Sequence, residues 1–331
     1  MKRIVPLLSF AVLLLWSADT WAQKKKYEFA HERTISQSYA VSPNDKLDIE
    51  NQFGTVNIKT WTRNEVKVDI RIDVSSNVKE AAQRIFENID VEHDKQGNRV
   101  QFKTELNVKD EKGFKGKHNN TMSIDYEVMM PANLALDLEN RFGKTILPDL
   151  QGKVNVKQEF GDLHAGRLAQ PGNIEVRYGS VVIEGAVNGR YEFGYSSGES
   201  TIKNLSGKAN VDIQFCKSGN VVIHAVSIDE LRVDAQYSDV AIVVPKNVSA
   251  GISVETNFGS FTNKSSFNIK KEDDEDDKDS KQFRSPQFNS SYKGKAGDGK
   301  NKIELDGNFS EIILSHETPP AKEKKKKTTD I

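Results

Sequence analysis

One short phrase recurs along this chain and constrains its fold more than any other feature. The phrase alternates apolar and variable positions, passes through a small or polar residue, and ends on an aromatic residue that Gly or another small residue usually follows. Close copies span residues 47–54, 136–143 and 154–161, and looser copies end at Tyr178, Tyr195, Phe215, Tyr237, Phe258 and Phe309. Between Phe142 and Phe258 the aromatic residues recur about every 17 to 22 residues, which is typical of one supersecondary unit stacked repeatedly.

Each copy of the phrase predicts a β-strand. Its apolar positions fall at i, i+2 and i+6, so a pleated strand points them all to one side and the charged residues between them to the other. We therefore expect the aromatic rings to face inward and to stack as an internal ladder. The small residue predicts a corner, since Gly tolerates positive φ and close backbone approach. A second short strand is expected to begin three residues after the aromatic, as at Val56, Leu163 and Val181.

These patterns predict an all-β chain. The expected architecture is a parallel β-solenoid, similar to a β-helix, with rungs of about 18–22 residues and one helix-containing α+β insertion near the N-terminus. We expect a first rung at residues 44–60 and the main solenoid at 132–263, preceded by a lead-in strand at 23–43.

The phrase is absent from residues 61–131, where the pattern changes. Alternation predicts strands at 66–74, 100–106 and 122–129, and apolar spacing predicts one amphipathic helix at 77–89. Near-identical phrases flank the segment, so we expect an insertion between two rungs that are neighbours in space. A separate small α+β subdomain, from about residue 26 to 131, is the alternative.

A second interruption covers residues 264–300 and is strongly acidic. Its carboxylates are Glu272, Asp273, Asp274, Glu275, Asp276, Asp277 and Asp279. Packed like charges repel, so we expect a solvated, disordered loop. Calcium binding is the alternative, although the segment lacks the ordered acidic positions and central Gly of a calcium loop. The phrase then resumes, and residues 301–315 are expected to form the terminal rung.

The two ends of the chain predict export. Residues 1–22 combine a positive start, an apolar run too short to span a bilayer comfortably, and small residues before Gln23, as in a secretory signal peptide; an uncleaved anchor is the alternative. No transmembrane segment is expected after cleavage. Residues 316–331 carry Lys324–Lys327 and are expected to be a disordered tail, or else a basic patch that contacts acidic lipid or glycan. The expected location is the periplasm, the cell surface or the medium.

Candidate chemistry is concentrated on the charged side of the strands. Inward positions at i+4 include Asn51, Asn140 and Gln158, for which a ladder of buried amide hydrogen bonds is expected. The outward positions supply a candidate interaction face, consisting of Glu139, Lys157, Glu159, Glu175, Arg177, Asp212, Arg232 and Asp234. These residues mix signs, which favours cross-strand charge pairing on a solvated sheet.

The pattern predicts no enzyme, cofactor or metal site. The six His residues lie far apart in sequence, and the single Cys216 occupies a corner, where Lys217 beside it is the one hint of a reactive thiol. With a net charge of −1 and no basic stripe, the chain is not expected to bind nucleic acid.

The signal peptide, the paired phrases at 47–53 and 136–142, the helix-bearing segment between them and rungs such as 172–180 resemble the bacterial putative-adhesin family of exported cell-envelope β-solenoids, related to head-domain-like adhesins. The resemblance spans about residues 45–314. It implies a non-enzymatic, adhesin-like or structural envelope protein that binds an envelope protein or surface polysaccharide. A polysaccharide-processing β-helix enzyme and a periplasmic envelope-stress accessory protein are the alternatives.

Overall fold

The chain is mostly β-strand with one short helix. The structure is a computed structural model that describes residues 27–107, 119–196, 198–216, 221–272 and 288–320. The predicted signal peptide, Lys217, acidic residues 273–279 and Lys324–Lys327 lie outside these ranges. Up to residue 147 the elements are β1 (Phe29–Ala40), β2 (Lys46–Gln52), β3 (Val56–Trp61), β4 (Glu65–Ser76), α1 (Lys79–Glu87), β5 (Ile89–Gln96), β6 (Arg99–Leu106), β7 (Asn120–Pro131), β8 (Ala135–Arg141) and β9 (Thr145–Leu147).

The later elements are longer strands followed by short ones. They are β10 (Leu150–Glu159), β11 (Leu163–Arg177), β12 (Val181–Gly194), β13 (Ser200–Gln214), β14 (Val221–Gln236), β15 (Val240–Val243), β16 (Ala250–Asn257), β17 (Ser260–Lys264), β18 (Asn268–Lys271), β19 (Asn289–Ala296), β20 (Asn301–Asn308) and β21 (Glu311–Ser315).

One large sheet, mixed but mainly parallel, contains all of these strands. From β8 to β14 each repeat lies beside the next in parallel register, with Leu138 opposite Val156 and Val156 opposite Ile174. The apolar residues alternate with exposed ones and fill the interior, as in β8, where Leu136 and Leu138 are buried. The predicted strand periodicity is therefore confirmed, because period-2 alternation places one side of each strand in a common core.

The N-terminal strands include the antiparallel part of the sheet. β4 lies between β1 and β7 in antiparallel register, and β5 pairs with β6 in the same way. The helix α1 packs on β1 and β4 and buries Ala81 and Ala82, which confirms the predicted amphipathic helix. β2 and β8, whose sequences are nearly identical, are parallel neighbours with Leu47 opposite Leu136.

The C-terminal strands depart from sequence order. β20 lies between β14 and β16, with Leu305 opposite both Val233 and Val254, and β21 lies between β15 and β17. Residues 301–315, expected as the terminal rung, are thus followed in space by β16 and β17 rather than lying at the end of the stack. Their phrase matches any neighbouring repeat equally well, so sequence order alone does not fix their position.

The predicted disordered loop at 264–300 is also wrong at both of its ends. β18 and β19 fall within it, and β19 pairs antiparallel with β16 along its whole length. The neighbouring acidic run favoured the prediction of a loop for the whole segment. Residues 289–296, which form β19, nevertheless carry no charge before Lys293. β19 covers the hydrogen-bonding edge that β16 would otherwise expose.

The interior of the corners is closed in two ways. After Phe142 and Phe160 the corner residue is Gly, and a Cβ on Gly161 would lie 1.7 Å from the Gly143 carbonyl oxygen. The predicted amide ladder is confirmed beside these corners: Asn140 Nδ2 is 3.5 Å from Gln158 Oε1, and Gln158 Nε2 donates to the Gly143 oxygen at 2.9 Å. The inward amides thus satisfy carbonyl groups that the tight corners bury.

Four later corners carry Ser or Cys instead of Gly, at Ser196, Cys216, Ser238 and Ser310, and Gly returns at Gly259. Ser238 Oγ accepts from the Cys216 amide at 2.9 Å, and Ser310 Oγ accepts from the Ser238 amide at 3.0 Å. The inward position before these corners is then small or apolar, as at Ala235. The Ser hydroxyl inside the corner thus hydrogen-bonds buried backbone groups, as the inward amide does in the earlier repeats.

Candidate functional site

A continuous ladder of aromatic rings runs along the outside of the sheet. Ten rings stack in sequence with centroid separations of 4.5–5.1 Å and interplanar angles of 3–19°. In spatial order they are Phe53, Phe142, Phe160, Tyr178, Tyr195, Phe215, Tyr237, Phe309, Phe258 and Phe288. From Phe142 onward each ring residue is 42–51% exposed. We call this set the aromatic ladder.

The outward direction of the aromatic ladder corrects the inward direction expected from the sequence. The nine ring residues at the corners have φ between +51° and +62°, in the left-handed region. One residue in that conformation ends the strand alternation and turns its side chain outward, so that the next, small residue occupies the interior. The small residue after each aromatic was the missed signal, because the tight corner leaves room inside for only one of the two side chains.

The aromatic ladder presents ring edges to solvent. In a face-to-face stack each interior ring is covered on both faces by its neighbours, so only the edges remain accessible. Phe288 differs, since it is 51% exposed and has one stacked partner, Phe258, among the described residues. A ligand that needs an open ring face is therefore expected at this end of the ladder.

Rows of polar side chains run parallel to the aromatic ladder on the outer side of the same strands. The cross-strand register aligns one carboxylate per strand, three residues before the ring. From β11 to β16 this carboxylate row consists of Glu175, Glu192, Asp212, Asp234, Asp306 and Glu255. Like charges directly opposite each other on neighbouring strands destabilise a sheet, so this row has an energetic cost.

All eight residues of the predicted interaction face lie on this outer side, in strands β8 to β14. Sequence reasoning missed Glu192 and Asp306, which belong to the carboxylate row, and it missed the amide row beside it. The amides are Gln214, Gln236, Asn308, Asn257 and Asn289, each one residue before or after its ring. The sequence did not reveal the amide row because β20 and β19 pair with strands that are not their neighbours in sequence.

The predicted sign mixing holds best in the earlier strands. Arg141 forms ion pairs with Glu139 and Glu159 at 3.0 and 3.1 Å, and Lys157 lies 3.4 Å from Glu139. Glu175 and Arg177, the residues that the enzymatic alternative would use, pair with each other at 2.6 Å. Their charges are therefore occupied within the sheet.

The later strands hold carboxylates with fewer basic partners. Burial raises the pKa of Asp306, and the neighbouring carboxylates of Glu255 and Asp234 raise it further, against the opposing effect of Arg232. Burial likewise raises the pKa of Asp212 above its ordinary value. Within the described ranges, Asp234 and Glu255 form no ion pair. This part of the row is thus poor in compensating positive charge.

A broad, open depression of about 1250 Å³ lies at the C-terminal end of the rows. Its lining combines the carboxylates of Asp234, Glu255, Glu304 and Asp306 and the guanidinium group of Arg232 with the rings of Phe258 and Phe288. The amides and hydroxyls that also line it are those of Gln236, Asn257, Asn289, Asn308, Ser290 and Ser291. Acids, amides and rings therefore converge at one place on the surface.

Cys216 lies inside its corner and is buried. Its Sγ is 3.6 Å from the carbonyl oxygens of Phe193 and Gln214, and burial raises the pKa of the thiol above its ordinary value. A raised pKa disfavours the nucleophilic thiolate. In the described part of the chain, no group of three or more His, Cys, Asp or Glu side chains is placed to hold a metal ion. No helix among the described residues is both long and apolar enough to cross a membrane.

No protein-family model and no curated protein matches the chain. Solved structures similar to it include a putative adhesin from Bacteroides fragilis, 12% identical, with 85% of this chain and 97% of that chain covered and a TM-score of 0.40. A putative adhesin from Parabacteroides merdae is 7% identical over 85% and 96% of the two chains, with a TM-score of 0.37. A putative cell adhesion protein from Clostridium sporogenes is 10% identical over 86% and 99%, with a TM-score of 0.23. The functional argument therefore rests on the surface of this chain.

Proposed function

We propose that this chain is an exported, non-enzymatic envelope protein that binds an envelope protein or a surface polymer through its outer face. Residues 1–22 would act as the signal peptide. The repeats would form a parallel β-solenoid, with residues 61–131 as an insertion that closes its N-terminal end. The location would be the periplasm, the cell surface or the medium.

The aromatic ladder is the observation that carries this proposal. Nine steps of 4.5–5.1 Å give a stripe of ring edges roughly 44 Å long. Large exposed apolar patches that are rimmed by polar residues mark interaction sites on soluble proteins. A long, straight and repetitive stripe suits a long partner, such as a polymer or an extended protein surface.

The adjoining charged rows support the same face. Their side chains are only partly buried and project from rigid, paired strands, so a partner could engage many of them with little reorganisation. Charges arranged in this way contribute to specificity and association rate more than to affinity.

Binding of purified protein to isolated envelope fractions tests the proposal. The double variant Asp212→Lys/Asp234→Lys inverts charge in the middle of the outer face, and we expect it to lose at least about 1.4 kcal/mol, or tenfold in affinity. Glu184→Lys is the matched control, because Glu184 is exposed and pairs with Lys203 away from this face. Equal binding by all three proteins, with unchanged circular dichroism, would contradict the proposal.

A further inference from the structure

The later half of the outer face has the chemistry of a site for one class of polymer. We infer that the surface from β12 to β19 binds a β-linked polysaccharide that carries free amino groups, laid along the rows with one end in the depression beside Phe288. This inference rests on the proposed function and names the partner of the same face.

Three parallel rows define the surface. The first is the aromatic ladder from Tyr195 to Phe288, the second is the amide row from Gln214 to Asn289, and the third is the carboxylate row from Glu192 to Glu255. The strands β13, β14, β20 and β16 each carry one amide and one carboxylate, so the same groups recur at the strand spacing. At the two ends, β12 has Gly194 at the amide position and β19 has Ser291 at the carboxylate position. Amides donate and accept hydrogen bonds with sugar hydroxyls, and carboxylates accept from hydroxyls and bind ammonium groups.

The charge balance favours a cationic polymer over an anionic one. Between β12 and β16 the outward rows hold seven carboxylates and four basic groups. The carboxylates are those of Glu192, Asp212, Glu230, Asp234, Glu255, Glu304 and Asp306, and the basic residues are Arg190, Lys208, Arg232 and Lys302. Arg190 is shared between Glu192 and Asp212, at 2.9 and 2.8 Å. A ligand with amino groups would supply the positive charge that Asp234 and Glu255 lack.

The depression adds two features that point to a ligand. Among the described residues Phe288 is stacked only with Phe258, and an ammonium group or a sugar ring can lie against its other face. Asn308 lines the same depression, and its side-chain oxygen is buried and has no hydrogen-bond partner within the described ranges. A buried polar atom without a partner is costly, and a small rearrangement on ligand binding would satisfy it.

The spacing of the rows separates a glycan from a peptide. The rings repeat at 4.5–5.1 Å, close to the length of one sugar unit in an extended β-linked chain. Successive sugars of a β-1,4-linked chain face opposite ways, so its amino groups would meet every second carboxylate of the row. An extended peptide presents side chains to one side about every 6.6 Å, so its basic residues would fall out of step with the carboxylates.

Calorimetric titration of the full chain with four probes tests the inference. The probes are a β-1,4-linked glucosamine hexamer, its fully N-acetylated form, polylysine of matched charge and polygalacturonate. We expect the glucosamine hexamer to bind, the N-acetylated form to bind at least about tenfold more weakly, and polygalacturonate not to bind. Binding should weaken with added salt, since the contacts are exposed charge pairs. Equal or tighter binding of polylysine, or binding of polygalacturonate, would overturn the inference.

Two variants locate the site. Asp234→Asn/Glu255→Gln removes charge without removing volume and is expected to reduce affinity for the glucosamine hexamer at least about tenfold, whereas Glu184→Gln should leave it unchanged. If neither variant alters hexamer binding, the hexamer lies elsewhere and the inference fails. If the hexamer does not bind but envelope fractions do, and Asp212→Lys/Asp234→Lys abolishes that binding, the proposed function stands while this inference falls.

Discussion

The earlier and later repeats of the stack close their corners in different ways and expose different side chains. In the earlier repeats a Gly corner is braced by an inward amide, as with Gly143 and Gln158. In most of the later repeats a Ser or Cys fills the corner, and the inward position is apolar or small. Outside, the earlier strands place acidic and basic residues in one row, as with Glu139 and Lys157. The later strands also form ion pairs, but they align carboxylates with carboxylates and amides with amides.

This difference shows that the aromatic ladder is independent of how the corner is closed. Ring separations are 4.9 Å between Phe142 and Phe160 and 5.0 Å between Phe215 and Tyr237. A non-glycine residue in the left-handed region costs roughly 1–2 kcal/mol, and each stacked pair returns about 0.5–1.5 kcal/mol. Each pair is shared by two rings, so the nine pairs serve nine left-handed residues, and stacking offsets part of the backbone cost in both halves. The outer rows are then free to differ.

Gly161→Ala is expected to have the largest effect, because it disrupts a corner that is closed by Gly. The added methyl would lie 1.7 Å from the Gly143 oxygen, in a stack of paired strands that cannot shift locally. We expect a loss of more than about 4 kcal/mol in the free energy of unfolding, measured by urea denaturation. Gly194→Ala is the control, since its nearest neighbour atom would be 3.6 Å away. Similar stability of the two variants would show that close approach does not set the earlier corners.

Much of the fold followed from the sequence, since alternation identified the strands and the helix from local pattern alone. Where prediction failed, the alternation of apolar residues did not carry the deciding information. The side of the aromatic rings depends on one left-handed residue, as at Phe160, and alternation cannot reveal it. The position of β20 depends on which neighbour it pairs with, and every repeat offers a similar edge. For the same reason Asp306 could not be recognised as a neighbour of Asp234, which lies far from it in sequence.

Two substitutions, one in each half, remove a side chain that hydrogen-bonds inside a corner. Gln158→Leu leaves the Gly143 carbonyl without its 2.9 Å partner and deprives Thr145 Oγ of the acceptor it contacts at 2.6 Å. We expect a loss of about 2–4 kcal/mol, because two buried groups lose partners. Ser238→Ala deprives the buried Cys216 amide of its acceptor and is expected to cost about 1–3 kcal/mol. Chemical denaturation of both variants measures the two losses in the free energy of unfolding. A larger loss for Ser238→Ala would reverse the assigned roles of amide and hydroxyl.

Phe160→Leu tests whether stacking is equally strong along the aromatic ladder. The change keeps an apolar side chain but removes two ring pairs, at 4.9 and 4.7 Å, so the expected loss is about 1–3 kcal/mol. Phe215→Leu removes two pairs in the other half, at 5.1 and 5.0 Å, and should cost a similar amount. Thermal unfolding of the two variants gives the comparison. A clear difference between them would tie ring stacking to the type of corner.

The smallest expected effect concerns charge, and it should have opposite signs at two aspartates. Burial and neighbouring carboxylates raise the pKa of Asp306, so the folded state holds its proton more tightly than the unfolded state. Its stabilising contribution is complete below the unfolded pKa, about 3.9, and is lost as pH rises through the folded value. Asp306→Asn should therefore raise stability near neutral pH, by about 0.5 kcal/mol for a partly exposed group.

Asp162 supplies the opposite case in the earlier half of the stack. The Ser180 hydroxyl, with help from the Ser180 amide, lowers the pKa of Asp162, so its contribution is present above the unfolded pKa and is lost as pH falls through the folded value. Asp162→Asn should lower stability near neutral pH by about 0.5 kcal/mol. Both differences from the unsubstituted protein should shrink as the pH of thermal unfolding is lowered. If both variants shift stability in the same direction at neutral pH, the carboxylates of the two halves do not differ in their surroundings, and the charge argument for an amino-bearing partner loses its basis.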